Sequence, residues 1–130
     1  ALSRLPQLLE QHNPHIVIIE LGGNDGLRGF PINTFRNNLE NLVKLVQDNN
    51  SIALITGMRI PPNYGPRYTQ MFYDSYGIIA QKYQLPRVSF LLEDIAQYPE
   101  LMQKDGIHPN VKAQPIIAKY VEQQLITLME

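Results

Sequence analysis

Apolar residues recur along the chain at two different periods, and the switches between them divide it into helices and strands. Leu2, Leu5, Leu8 and Leu9 fall at helical spacing and Asn13-Pro14 supplies a stop, so residues 2 to 12 read as a short amphipathic helix. His15 to Leu21 is then an unbroken, mostly β-branched run. A run apolar on both faces suits a central strand of a parallel sheet covered by helices on both sides. It ends in Gly22-Gly23-Asn24-Asp25-Gly26, a strand-end loop whose glycines permit tight turns and close approach of a ligand.

Asn33 or Thr34 is placed to cap a second helix, with Phe35, Leu39, Leu42, Val43 and Val46 inward and a close at Asn49-Asn50. Ser51 to Gly57 is the next strand. The segment from Met58 to Arg67, rich in proline, is long and stiff for a simple connection and leaves the end of a strand where parallel sheets hold ligands. A third helix spans about Arg67 to Tyr83, with Tyr68, Phe72, Tyr76, Ile79 and Tyr83 at core spacing. Leu85 to Leu91 is a third, shorter strand, and Glu93 to Lys104 a polar, irregular segment. The last helix begins between Asn110 and Gln114, accepts Pro115 in its first turn, and is expected to bury Ile116, Ile117, Tyr120, Val121, Leu125 and Leu128. Helices alternating with strands predict a single α/β domain over residues 1 to 130, a three-layer α/β/α sandwich with a parallel sheet and right-handed crossovers.

Composition narrows the function classes. With 11 basic and 12 acidic residues, scattered along the chain, there is no footprint for nucleic acid. No apolar run is long enough to cross a bilayer, so stable membrane insertion is not expected. The absence of cysteine removes thiol nucleophiles, disulfides and zinc-thiolate sites. Ala1 to Pro6 bears no likeness to a signal peptide, and the expectation is that the chain begins inside a longer protein.

The candidate chemistry lies in Asp105-Gly106-Ile107-His108-Pro109. Gly106 tolerates positive φ and Pro109 restricts His108, so acid and base sit three residues apart on a constrained turn. A carboxylate bonded to one imidazole nitrogen fixes the tautomer and leaves the other nitrogen to accept a proton from a nucleophile. Asn24, Arg59-Ile60 and the Asp105 turn all follow strands, and three loops are expected to converge on one rim of the sheet. An asparagine amide there can donate to an oxyanion. Each stretch also has a plain structural reading: Asn-Asp-Gly is an ordinary turn, and Asp-x-x-His a capping carboxylate beside a solvated histidine. A metal site using Asp105 and His108 with His12 or His15 is disfavoured, because the last two precede the first strand at the opposite rim. Neither a metal nor a cofactor is expected. The serines, Ser3, Ser51, Ser75 and Ser89, all lie outside any Gly-Asp-Ser or Gly-x-Ser-x-Gly context.

Val17 to Gly29 resembles the third conserved block of the SGNH (GDSL-type) hydrolases, and Asp105-Gly106-Ile107-His108-Pro109-Asn110 resembles their last block. The likeness is strongest to the bacterial thioesterase, lysophospholipase and arylesterase branch, takes in Arg59 to Gly65 and Ala113-Gln114-Pro115, and covers essentially the whole chain. It implies a flavodoxin-like hydrolase fold whose first two strands are missing here. It further implies Asn24 as an oxyanion-hole donor, Asp105 as the group that orients the base, and His108 as general base and then acid. Gly23, Gly26, Ile60, Pro61 and Tyr64 would border the acyl group of a small ester or thioester substrate. The nucleophilic serine belongs to an N-terminal Gly-Asp-Ser block absent from this chain, so these residues alone are expected to be nearly inactive. That missing segment is the partner the resemblance implies, and a periplasmic or secreted location is its suggestion. The competing expectation is a binding or interaction module that keeps the α/β scaffold without catalysis.

Overall fold

The structure, a computed structural model, describes residues 1–88 and 92–130. Two compact units make up the chain, Ala1–Arg87 and Val88–Glu130.

In the first unit, α1 (Leu5–His12) carries Pro6 in its first turn and ends at Asn13, whose left-handed backbone (φ 43°) lets its N–H return to the Leu9 carbonyl. Strand β1 (Ile16–Ile19) pairs in parallel with β2 (Ile52–Thr56), in the register Ile16↔Ile52 to Ile19↔Ile55. A two-residue β3 (Arg87–Val88) completes the order β1-β2-β3. The predicted strand from Leu85 to Leu91 is thus seen only over that pair, and residues 89–91, with Ser89, lie outside the described residues.

Because side chains alternate across a strand, Val17, Ile19, Ala53 and Ile55 share one face of the sheet. They pack into the core built by α3 (Ile32–Asp48) and α4 (Pro66–Lys82). On α3, Ile32, Phe35, Leu39, Leu42, Val43 and Val46 are all buried, as the helical period predicts. On α4, Phe72, Tyr76 and Ile79 are buried, whereas Tyr68 and Tyr83 reach only the margin of the core. Phe35 stacks on Phe72 at 4.7 Å, and Tyr76 meets both in T-shaped contacts, at 5.5 and 5.6 Å. Such pairs add about 0.5–1.5 kcal/mol each beyond the area they bury. Ile18 and Ile52 point to the opposite face and are each 42% exposed, so the expected covering of both faces fails at these two positions.

Polar groups pin the same two helices. Arg36 Nε donates to the buried Ser75 hydroxyl at 2.8 Å, which in turn donates to the Met71 carbonyl. Glu40 accepts from Lys82 at 2.6 Å and from the Tyr83 hydroxyl, and these two bonds hold its carboxyl down at about 2. Neither Asn33 nor Thr34 caps α3. Pro31 stands at its N-cap with no side-chain bond, because the helix begins at Ile32, two residues earlier than an Asn33 cap would place it.

In the second unit, α5 (Glu93–Ala96) and two 3₁₀ turns (Pro99–Leu101 and Val111–Ala113) interrupt the stretch before the last helix. The region from Glu93 to Lys104 is therefore less irregular than its polar composition suggests. Ile95, Met102 and Ala113 form a small core with Leu101 and Ile117 against it. Helix α6 (Gln114–Met129) buries none of its residues fully, and Ile116 is 49% exposed. The expectation of a core helix does not hold for α6: the unit's core is small, and among the described residues Ile117 is the α6 side chain that packs against it.

The α3–α4 packing sets a stability prediction. Phe72→Ala is expected to destabilise the protein by about 3–5 kcal/mol in urea unfolding, and Ile78→Ser, on the exposed side of α4, by less than about 0.5 kcal/mol. Equal effects would contradict this orientation of the helix.

Candidate active site

The Asp105 turn is built by one carboxylate accepting three bonds. Oδ1 receives the backbone N–H groups of Ile107 (2.9 Å) and His108 (3.0 Å), and Oδ2 lies 2.6 Å from His108 Nδ1. Gly106 closes the turn at φ 68° with no atom within 4 Å of where a Cβ would stand, so backbone conformation rather than crowding calls for glycine. The bond from His108 lowers the Asp105 carboxyl most, followed by the two backbone N–H groups, and together they hold it at about 2. An ionised carboxylate only accepts, so at neutral pH Nδ1 carries the proton and Nε2 is left as the basic nitrogen.

The turn is also held from its flanks. Met102 and Pro109 form an antiparallel bridge, Gln103 N–H donates to the His108 carbonyl at 2.7 Å, and Asn110 N–H to the Leu101 carbonyl at 2.8 Å. The Asn110 side chain donates to the Glu100 carbonyl at 2.7 Å and accepts from Lys112 N–H at 2.9 Å. Asn110, expected at the start of the last helix and within the block that resembles the family's last, also acts as a clamp through its bonds to Glu100 and Met102 upstream. The His108 side chain remains 68% exposed.

In the first unit, the strand-end loop proves to be a short helix, α2 (Gly23–Leu27), entered through Gly22 at φ 112°. Space as well as conformation demands glycine at Gly22: a Cβ would stand 2.5 Å from the Phe35 ring and 2.6 Å from the Tyr76 hydroxyl. Gly23 meets the Met58 sulfur, and Gly26 meets Phe72 and Ile60, so α2 is pressed onto the residues after β2. Asn24 is exposed on the outside of α2, and its side chain has no hydrogen bond among the described residues. Tyr64 lies against Gly29, and Tyr68 donates to the Phe30 carbonyl at 2.6 Å.

Gly23, Asn24, Gly26, Ile60 and Tyr64 therefore gather at the carboxyl ends of β1 and β2, and Asp105 joins His108 within the second unit. Ile60 is buried, while Pro61 lies on an exposed stretch of loop. The Arg59 guanidinium stacks over Tyr73 at 4.0 Å. Of the serines, Ser51 donates to the Pro14 carbonyl and Ser75 is enclosed between α3 and α4; each has a structural occupation. Tyr76, read from the sequence as core, also donates its hydroxyl to the Leu21 carbonyl at 2.9 Å, a bond its spacing does not announce.

Residues 1–115 match the model of the GDSL-like Lipase/Acylhydrolase family. An arylesterase of Vibrio mimicus is 48% identical over 125 residues, which cover 96% of this chain and 62% of that protein. The thioesterase 1/protease 1/lysophospholipase L1 of Escherichia coli K12 is 43% identical over 128 residues, 98% of this chain and 62% of that protein. The chain thus spans about 62% of the length of these curated relatives. Among solved structures, the psychrotrophic esterase EstA from Pseudoalteromonas sp., inhibited by monoethylphosphonate, superimposes with a TM-score of 0.94 at 44% identity, over 98% of this chain and 70% of that one. TesA does so with a TM-score of 0.88 at 41% identity, over 95% of this chain and 69% of that one. On the two motifs, the α/β fold and these matches together, the chain belongs to the GDSL-like lipase/acylhydrolase family.

Proposed function

We propose that the protein of which this chain is part hydrolyses small esters or thioesters by acyl transfer through a serine. The observation that supports this most is the 2.6 Å bond between Asp105 and His108, which orients the imidazole and fixes which nitrogen is basic. His108 Nε2 takes the proton of a serine hydroxyl as its oxygen attacks the carbonyl. The Asn24 amide donates to the oxyanion that forms, and His108 returns the proton to the departing alkoxide or thiolate. Water then repeats the sequence and frees the acid. Asp105 stays ionised throughout, since its carboxyl is held at about 2. The arylesterase and thioesterase names of the relatives agree with this substrate class.

The serine itself comes, in this proposal, from a segment outside these 130 residues. Strand β1 pairs only with β2 among the described residues, and its Ile-Val-Ile-Ile edge carries no charge to discourage another strand. A Gly-Asp-Ser-bearing segment pairing along that edge would complete the sheet and the reaction together.

Supplied with such a segment from a relative, the chain is expected to hydrolyse an activated short-chain ester, whereas the 130 residues alone give no turnover above background. In the assembled enzyme, His108→Ala should lower kcat by at least about 10³-fold and Asn24→Ala by about 10²–10³-fold. Turnover by the chain alone at ordinary esterase rates would mean that one of its own serines is the nucleophile.

The turn also predicts a pH signature. A carboxyl depressed from 3.8 to about 2 strengthens the folded turn at every pH above its unfolded value, and that contribution is lost as pH falls through the folded one. The Ile107 and His108 amide resonances should therefore move with this carboxyl between about pH 4 and about pH 2. Asp105→Asn should abolish the transition, and a midpoint at the ordinary carboxyl value would contradict the bonding described.

A further inference from the structure

We infer that Tyr76 is a positioning residue for Asn24, its buried hydroxyl holding the carbonyl from which the α2 turn departs. This inference rests on the oxyanion role proposed for Asn24. The exposed Asn24 side chain has no hydrogen bond of its own among the described residues, so its aim is inherited from the backbone that carries it. That backbone leaves β1 through Leu21, whose carbonyl accepts from Tyr76 at 2.9 Å, a bond spanning 55 residues of chain. The next residue, Gly22, is wedged against the Phe35 ring and the same hydroxyl, and its carbonyl accepts the Gly26 N–H at 3.0 Å, the first bond of α2. Two residues thus separate the anchored carbonyl from the amide that must meet the oxyanion.

The anchor itself has little freedom. Tyr76 is fully buried, its ring packed at steep angles against both Phe35 and Phe72, which restricts where the hydroxyl can point. Burial, and then the Asp25 carboxylate, push the phenol above its ordinary value, so it remains a donor at every working pH. A reaction that depends on donors placed in advance is sensitive to displacements of an ångström, even when they originate away from the reacting atoms.

Tyr76→Phe keeps the ring and removes only the donor. In the 130-residue chain, the Gly26 amide of this variant should exchange with solvent at least about tenfold faster, while the Val43 amide in the middle of α3 is unchanged. In the enzyme assembled with its serine segment, kcat should fall about tenfold at unchanged KM. That loss should vanish when Asn24 is already alanine, and 4-aminophenylalanine at this position, which restores a donor, should recover the rate. If Asn24→Ala lowers kcat but the Tyr76→Phe effect simply multiplies it, the positioning role is overturned and the role of Asn24 stands. If Asn24→Ala has no effect, the oxyanion reading fails and the inference falls with it. A final measurement needs no variant: the Tyr76 hydroxyl proton should appear as a slowly exchanging resonance correlated with the Leu21 carbonyl, and fast exchange would overturn the anchor.

Discussion

Phe35, Phe72 and Tyr76 interlock where α3 meets α4, and the first unit depends on that packing twice over. The three rings fill the space beneath the ends of β1 and β2, contributing buried area and the edge-to-face geometry that aromatic quadrupoles favour. The same rings define the room left for the chain above them. Gly22 fits because it has no Cβ to meet Phe35 or Tyr76, and Gly26 because it has none to meet Phe72. Core packing and the course of the α2 backbone are thus one constraint seen from two sides.

The second unit arrives at order by a different route. Its apolar core is small, built on Ile95, Met102 and Ala113, and its definition comes from hydrogen bonds concentrated on a few polar side chains. Asp105 gathers two backbone N–H groups and an imidazole; Asn110 ties the following residues back to Glu100 and Met102. The bonds to the Asp105 carboxylate are charge-assisted and stronger than neutral ones, which suits a turn that holds its shape while exposed to water. A carboxylate held at about 2 spends all of its working range as an acceptor, so the imidazole has one tautomer and one free nitrogen. Ordering by polar bonds rather than burial leaves the imidazole side chain exposed, as the proposed proton transfer would require.

Much of this was legible in the residue order because the interactions concerned are short in sequence. The periodic stripe on α3, the β-branched runs of β1 and β2, and the Asp-Gly-Ile-His turn each depend on residues within a few positions of one another, and sequence by itself determined them along with the family resemblance. Only the tertiary structure decided the rest. A phenol hydroxyl reaching Leu21 across 55 residues, a glycine required by a ring from another helix, and a last helix left half uncovered are settled by which neighbours the chain brings near. Helical spacing says that Tyr76 faces inward, and its side chain is a ring with a polar tip; where the tip finds its partner is a matter of three-dimensional distance, to which one-dimensional periodicity is blind.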